Sequence, residues 1–162
     1  MQAEPRLQTE RCALTPLSLA DVDEHAAASG RPEDALRDTR SADLHWQRHR
    51  FGHWAVRDRT TGAFLGVAEL HFAGPGIDGI AADEVEAGWW VAESRRNEGL
   101  ATEGMRAAID DVWQRAGIDH VKAYIDGTNP ASERVAAKLG FGARGSGTGR
   151  FGEPMTVYEL RR

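Results

Sequence analysis

Between a double-tryptophan segment and a long amphipathic stretch, the chain reads Val91-Ala-Glu-Ser-Arg-Arg-Asn-Glu-Gly-Leu-Ala-Thr102. This order puts two arginines and a glycine where a helix begins. The free N–H groups of a first helical turn, with the positive end of the helix dipole behind them, hold anions well. Gly99 lets the backbone approach a ligand closely, and Ala101 keeps the next turn uncrowded. By itself Arg96-x-x-Gly99-x-Ala101 reads either as a pyrophosphate cradle or as an ordinary capped strand-to-helix loop, and the context decides. Two other patterns suggest chemistry less well. His45, His49 and His53 recur every fourth residue like a metal comb, but Gly52 interrupts the helix they need and no fourth ligand follows, so no metal is expected. Gly147-Thr-Gly149-Arg-Phe-Gly152 matches a dinucleotide glycine pattern by letters alone. Pro154 and a short strand follow it instead of a helix, so it reads as a flexible turn.

The cradle needs a strand before it and a helix after it. Val85 to Ala92 alternates Val85, Ala87, Trp89 and Val91 against Glu86, Gly88, Trp90 and Ala92, which predicts a strand covered on both faces. Its two tryptophans read as core. Met105, Ala108, Ile109, Val112, Trp113 and Ala116 follow at helical spacing, and Gly117 stops them. Val121 to Asp126 is a further strand. Asn129 and Pro130 then occupy the cap and first position of a second helix that ends at Gly140. Upstream, Arg11 to Leu17 reads as a strand, and Ser18 with Asp21 caps a helix ending near Gly30. The polar run from Pro32 to Arg50 has few large apolar residues beyond Leu36, Leu44 and Trp46, so a helix there is expected on the surface. His53 to Asp58 and Ala63 to Phe72 form a hairpin about Thr60-Thr61-Gly62, and the breaker-rich Ala73 to Asp83 is a loop. The tail reads as a Gly-rich loop, Gly142 to Pro154, and a last strand, Thr156 to Leu160. The order gives a mixed α/β layer fold.

The whole chain bounds this reading. Its 162 residues fit one domain, 1–162, large enough to bury a core without staples. A formal charge of -5 has the wrong sign for wrapping nucleic acid and favours a cationic partner. Cys12 is the only cysteine, read as a small buried residue, which rules out an intrachain disulfide and suits a reducing cytoplasmic setting. The polar first ten residues, and the lack of any apolar run near bilayer length, predict neither a signal peptide nor a membrane anchor.

Taken together, Glu86-Ala-Gly-Trp-Trp-Val91, the cradle, the amphipathic helix, the next strand, Asn129-Pro-Ala-Ser132 and Lys138-Leu-Gly-Phe141 form one ordered set. That set resembles the GNAT superfamily of N-acetyltransferases, in the branch of the RimJ/RimL-type ribosomal-protein N-terminal acetyltransferases. The resemblance is strong over 85–141 and weaker over 7–20. It implies a mixed, mostly antiparallel twisted sheet splayed at a central parallel pair, with helices on both faces and acetyl-CoA wedged in the gap as co-substrate. It places the pyrophosphate on Arg96, Asn97, Gly99, Leu100, Ala101 and Thr102, the pantetheine arm along Val91, and Asn129 and Ser132 facing the thioester. The tyrosine many members use to protonate the thiolate is replaced by Ala136, which moves that role to Ser132.

Acetyl transfer to an amine needs a neutral nucleophile. A free α-amine, with a pKa of about 7.7 to 8.0, needs only a weak base, whereas a lysine near 10.4 needs more help. Glu86 is the candidate base, directly or through a water, and Glu69 is the second. The expected activity is direct N-acetylation of a primary amine, with a protein N-terminus as one acceptor. The alternatives are a small-amine or antibiotic acetyltransferase, and a non-catalytic acyl-CoA sensor. The resemblance also allows a homodimer, to which no residue points.

Overall fold

The computed structural model describes residues 4–149 and 151–162. Its strands are β1 (Leu7–Gln8), β2 (Cys12–Pro16), β3 (Trp54–Asp58), β4 (Phe64–Phe72), β5 (Val85–Val91), β6 (His120–Asp126), β7 (Gly142–Thr148) and β8 (Pro154–Arg161). The helices are α1 (Val22–Ser29), α2 (Pro32–His49), α3 (Leu100–Arg115) and α4 (Pro130–Leu139). All eight strands join one sheet in the order β1-β2-β3-β4-β5-β6-β8-β7. Every neighbouring pair is antiparallel except β5 and β6, which are parallel. The fold is thus the mixed α/β sheet that the resemblance implies.

Strand alternation sorts the apolar side chains onto two faces. On one, Cys12, Leu14, Leu70 and Ala87 meet Met105, Ala108, Ile109 and Val112 of α3 and Leu139 of α4. On the other, Leu17, Ala55 and Val67 pack with Ala42 of α2, and His25 of α1 lies edge-on to Trp90. The local signals act as their chemistry requires. Ser18 and Asp21 form a reciprocal capping box ahead of α1, and Gly30 ends that helix in the left-handed region. Asn129 caps α4, with Pro130 in its first turn and Gly140 closing it at φ 95°.

Two segments differ from expectation. The run from Pro32 forms an 18-residue helix whose inner face is built from Ala35, Thr39, Ala42 and Trp46, while Leu36 and Leu44 stay exposed. Ala42 packs against Leu17, Ala55 and Val67 of the sheet side. The segment 142–154 is not one loop. Gly142–Thr148 forms β7 against β8, with a register shift between Ala143 and Gly145, and β8 starts at Pro154. Glycines obscure a strand because they leave no apolar alternation to read.

Candidate active site

The parallel pairing of β5 and β6 covers only Glu86↔Lys122 and Ala87↔Ala123. β5 continues to Val91 and β6 to Asp126 without further pairing between them. Past Ala87 the two strands therefore part, and their facing backbone groups are left without a ladder. A cleft of roughly 450 Å³ opens at this place, between the start of α3 and the first turns of α4. Val91, Arg96, Asn97, Gly99, Leu100, Ala101, Thr102, Asn129 and Ser132 all line it.

The cradle's shape follows from two left-handed residues, Asn97 at φ 63° and Gly99 at φ 80°. Gly99 holds the N-cap position of α3, with no side chain satisfying the helix start. Its carbonyl accepts the Glu103 N–H at 3.1 Å, so the N–H groups of Leu100, Ala101 and Thr102 precede the hydrogen-bond ladder. Side chains fix this turn from outside. Arg11 bonds Glu103 and donates to the Glu98 carbonyl. Arg95 also borders the cleft, but its charge is paired with Asp58 and Glu98. Arg96 instead keeps its charge beside the cleft, with its Nε donating to the Val91 carbonyl at 3.2 Å.

On the opposite wall the Asn129 side-chain oxygen accepts the Ser132 N–H at 3.2 Å, so the cap presents both residues to the cleft. Arg134 and Lys138 also line this wall, and neither forms an ion pair among the described residues. Sequence reasoning missed them, although their four-residue spacing puts them on one face of α4. Trp89 and Trp90 are half-buried and border the cleft as well as packing in the sheet. Ala136 is fully buried against the core and faces away from the cleft.

The two carboxylates lie elsewhere. Glu86 and Glu69 do not line the cleft; they stand on the sheet face covered by α1 and α2, on neighbouring strands. Glu86 faces His71 directly across the ladder, its Oε2 3.3 Å from His71 Nε2. His71 Nδ1 in turn lies 3.2 Å from His53 Nε2. Glu69 is opposite Gly88, and burial pushes its carboxyl above the usual range.

The histidine comb is broken as Gly52 and the end of α2 demand. His53 joins His71, while His45 is held by its Nδ1–H donating to the Phe51 carbonyl and its Nε2 accepting the Phe72 N–H. Burial pushes His45 down to about 4. Gly149 and Gly152 form the tight connection from β7 to β8, where the Gly149 N–H bonds the Glu153 carbonyl. Arg150 of that pattern lies outside the described residues. Cys12 is fully buried.

A parallel strand pair parts over an uncapped helix start with cations on both walls, an arrangement suited to an anionic ligand. The family model for the acetyltransferase (GNAT) domain matches residues 11–142, and the chain belongs to that family. A solved structure from Bordetella pertussis, described as a GnaT-family acetyltransferase, is 26% identical with a TM-score of 0.84, covering 96% of this chain and 98% of that one. RimL, a ribosomal L7/L12 alpha-N-protein acetyltransferase in complex with coenzyme A, shares the fold with a TM-score of 0.78 at 14% identity, over 97% of this chain and 98% of that one. The uncharacterized protein YkkB of Bacillus subtilis (strain 168) is 29% identical over 114 residues, which are 67% of this chain and 60% of that protein. Among the described residues no helix is long and apolar enough to cross a membrane.

Proposed function

We propose that this protein transfers an acetyl group from acetyl-CoA directly to a primary amine. The observation that carries the reading is the parting of β5 from β6 over the uncapped start of α3, where free N–H groups meet Arg96, which forms no ion pair among the described residues, in one cleft. The residues present suit acetyl-CoA: an anion cradle, a cationic rim, a strand with free backbone groups and a hydroxyl at the inner wall. When bound, acetyl-CoA supplies the activated acyl group and a thiol leaving group.

The chain's own residues have separable tasks. Arg96, Asn97, Gly99, Leu100, Ala101 and Thr102 take the pyrophosphate, and the backbone of Val91 aligns the pantetheine arm. Asn129 contacts the carrier while capping α4, and Ser132 donates toward the departing sulfur. That donation contributes less than alignment, because a thiol with a pKa of about 8.5 already leaves readily. Glu86 takes the amine proton, directly or through one water, and His71 beside it keeps the carboxylate oriented. The acceptor is a primary amine, either a protein N-terminus as the RimJ/RimL resemblance suggests or a small amine, and the reading belongs to a cytoplasmic setting.

The test is thiol release from acetyl-CoA with a panel of amines and N-terminal peptides. Turnover in the parent, with kcat reduced about tenfold to a hundredfold in Glu86→Gln while acetyl-CoA still binds, is the expected result. Binding without turnover on any acceptor would make the protein an acyl-CoA sensor instead.

A further inference from the structure

The face that carries Glu86 holds a second carboxylate that no group among the described residues bonds or pairs with. Glu69 makes no hydrogen bond or ion pair among the described residues, and it is neither fully exposed nor sealed off. His71 and Arg31 act favourably on it from a distance, but burial outweighs them. His71 is turned to Glu86, and Arg31 to Asp34. Asp38 of α2 adds negative potential to the same place.

The space it occupies is made for it. Glu69 lies opposite Gly88, the first residue of β5 beyond the last β5–β6 pair. A Cβ on Gly88 would fall 2.6 Å from Glu69 Oε2. The missing side chain therefore lets the carboxyl reach across β5 at the point where the strands part. A carboxyl placed there without a cation costs stability unless a ligand supplies the charge.

We propose that Glu69 binds a second ammonium group of the acceptor, so that the amine acetylated beside Glu86 belongs to a small molecule carrying two positive groups. This rests on the acetyltransferase reading and adds the acceptor's chemistry to it. Glu69 and Glu86 are diagonal neighbours across the β4–β5 ladder, a spacing of about 7 Å between backbones, which suits a short diamine. One ammonium rests at Glu69 while the other amine gives its proton to Glu86. A monoamine leaves Glu69 unsatisfied, and a peptide N-terminus brings its second charge only by chance of sequence.

The experiment compares butane-1,4-diamine with butylamine as acceptors for the parent, Glu69→Gln and Gly88→Ala, together with titration of each amine into the protein without acetyl-CoA. The parent is expected to favour the diamine at least about tenfold in kcat/KM, the size of one charge-assisted contact. Glu69→Gln should erase that preference through KM, its loss with the diamine exceeding any loss with butylamine about tenfold. Gly88→Ala, which displaces the carboxyl, should weaken diamine binding in the same direction. An unchanged preference in Glu69→Gln, or peptide N-termini outcompeting the diamine regardless of residue 69, would overturn the proposal. Failure of acetyl-CoA to bind the parent would instead overturn the underlying reading, and the diamine titration of the free protein would still decide the role of Glu69.

Discussion

Asn129 does two jobs, and its replacement separates them. Asn129→Ala removes the side-chain acceptor for the Ser132 N–H and should cost about 1 kcal/mol of stability, read in a urea melt, along with weaker acetyl-CoA binding. Glu69 makes the opposite prediction for stability. Burial raises its carboxyl above the usual carboxylate range, so folding favours its protonated form. The contribution it makes is complete below about 4.5 and is lost as pH rises through the higher folded value. Glu69→Gln should therefore raise Tm at pH 8 and show a smaller gain at pH 4; a variant less stable than the parent at pH 8 would contradict the placement of this carboxyl. At this scale the sequence spoke through residues with a strong local rule. Gly99, Asn129 and Pro130 declare themselves by backbone chemistry. Arg134 and Lys138 do not, because a cation on an exposed helix face is ordinary until the facing wall is known.

The elements that hold the site depend on close backbone approach. A Cβ on Gly66 of β4 would lie 2.1 Å from the Trp90 carbonyl. Gly66→Ala must push β5 away just where it borders the cleft, and should cost more than about 2 kcal/mol in a denaturant melt. The junction of α2 with β4 carries a pH signature. His45 is held neutral at about 4 by burial in the fold, against 6.5 unfolded. Its contribution is present above about 6.5 and is lost as pH falls toward 4. Buried His53 and His25 are lowered too and act in the same direction. Denaturant midpoints should fall between pH 6.5 and 4 in the parent, and less steeply in His45→Gln. Elements with apolar alternation or caps, such as β5, α3 and α4, were legible from the chain alone. β7 was not, since Gly142, Gly145 and Gly147 give it no pattern and only pairing with β8 makes it a strand. The inner face of α2 was hidden for a related reason: alanine and threonine carry it where leucine was sought.

For the molecule as a whole, the charge of -5 conceals an uneven distribution. Arg96, Arg134 and Lys138 gather around the cleft, while Glu69, Glu86 and Asp38 lie toward the α1–α2 side. In the proposed reaction the anionic carrier and a cationic acceptor approach from different sides of the sheet, toward the place where β5 and β6 part. The meeting place itself came from the resemblance, because no periodicity in a strand reports that its neighbour will leave it after two residue pairs. Carrier binding should weaken as salt rises, since the rim charges are exposed and screened. The most direct measurement is calorimetric titration of acetyl-CoA into the parent and into Gly99→Glu, which sets a carboxylate where the pyrophosphate would rest. Saturable binding by the parent, with a Kd of about micromolar order, and none by the variant is the outcome this structure predicts. Equal binding by both, or none by the parent at millimolar ligand, would contradict it.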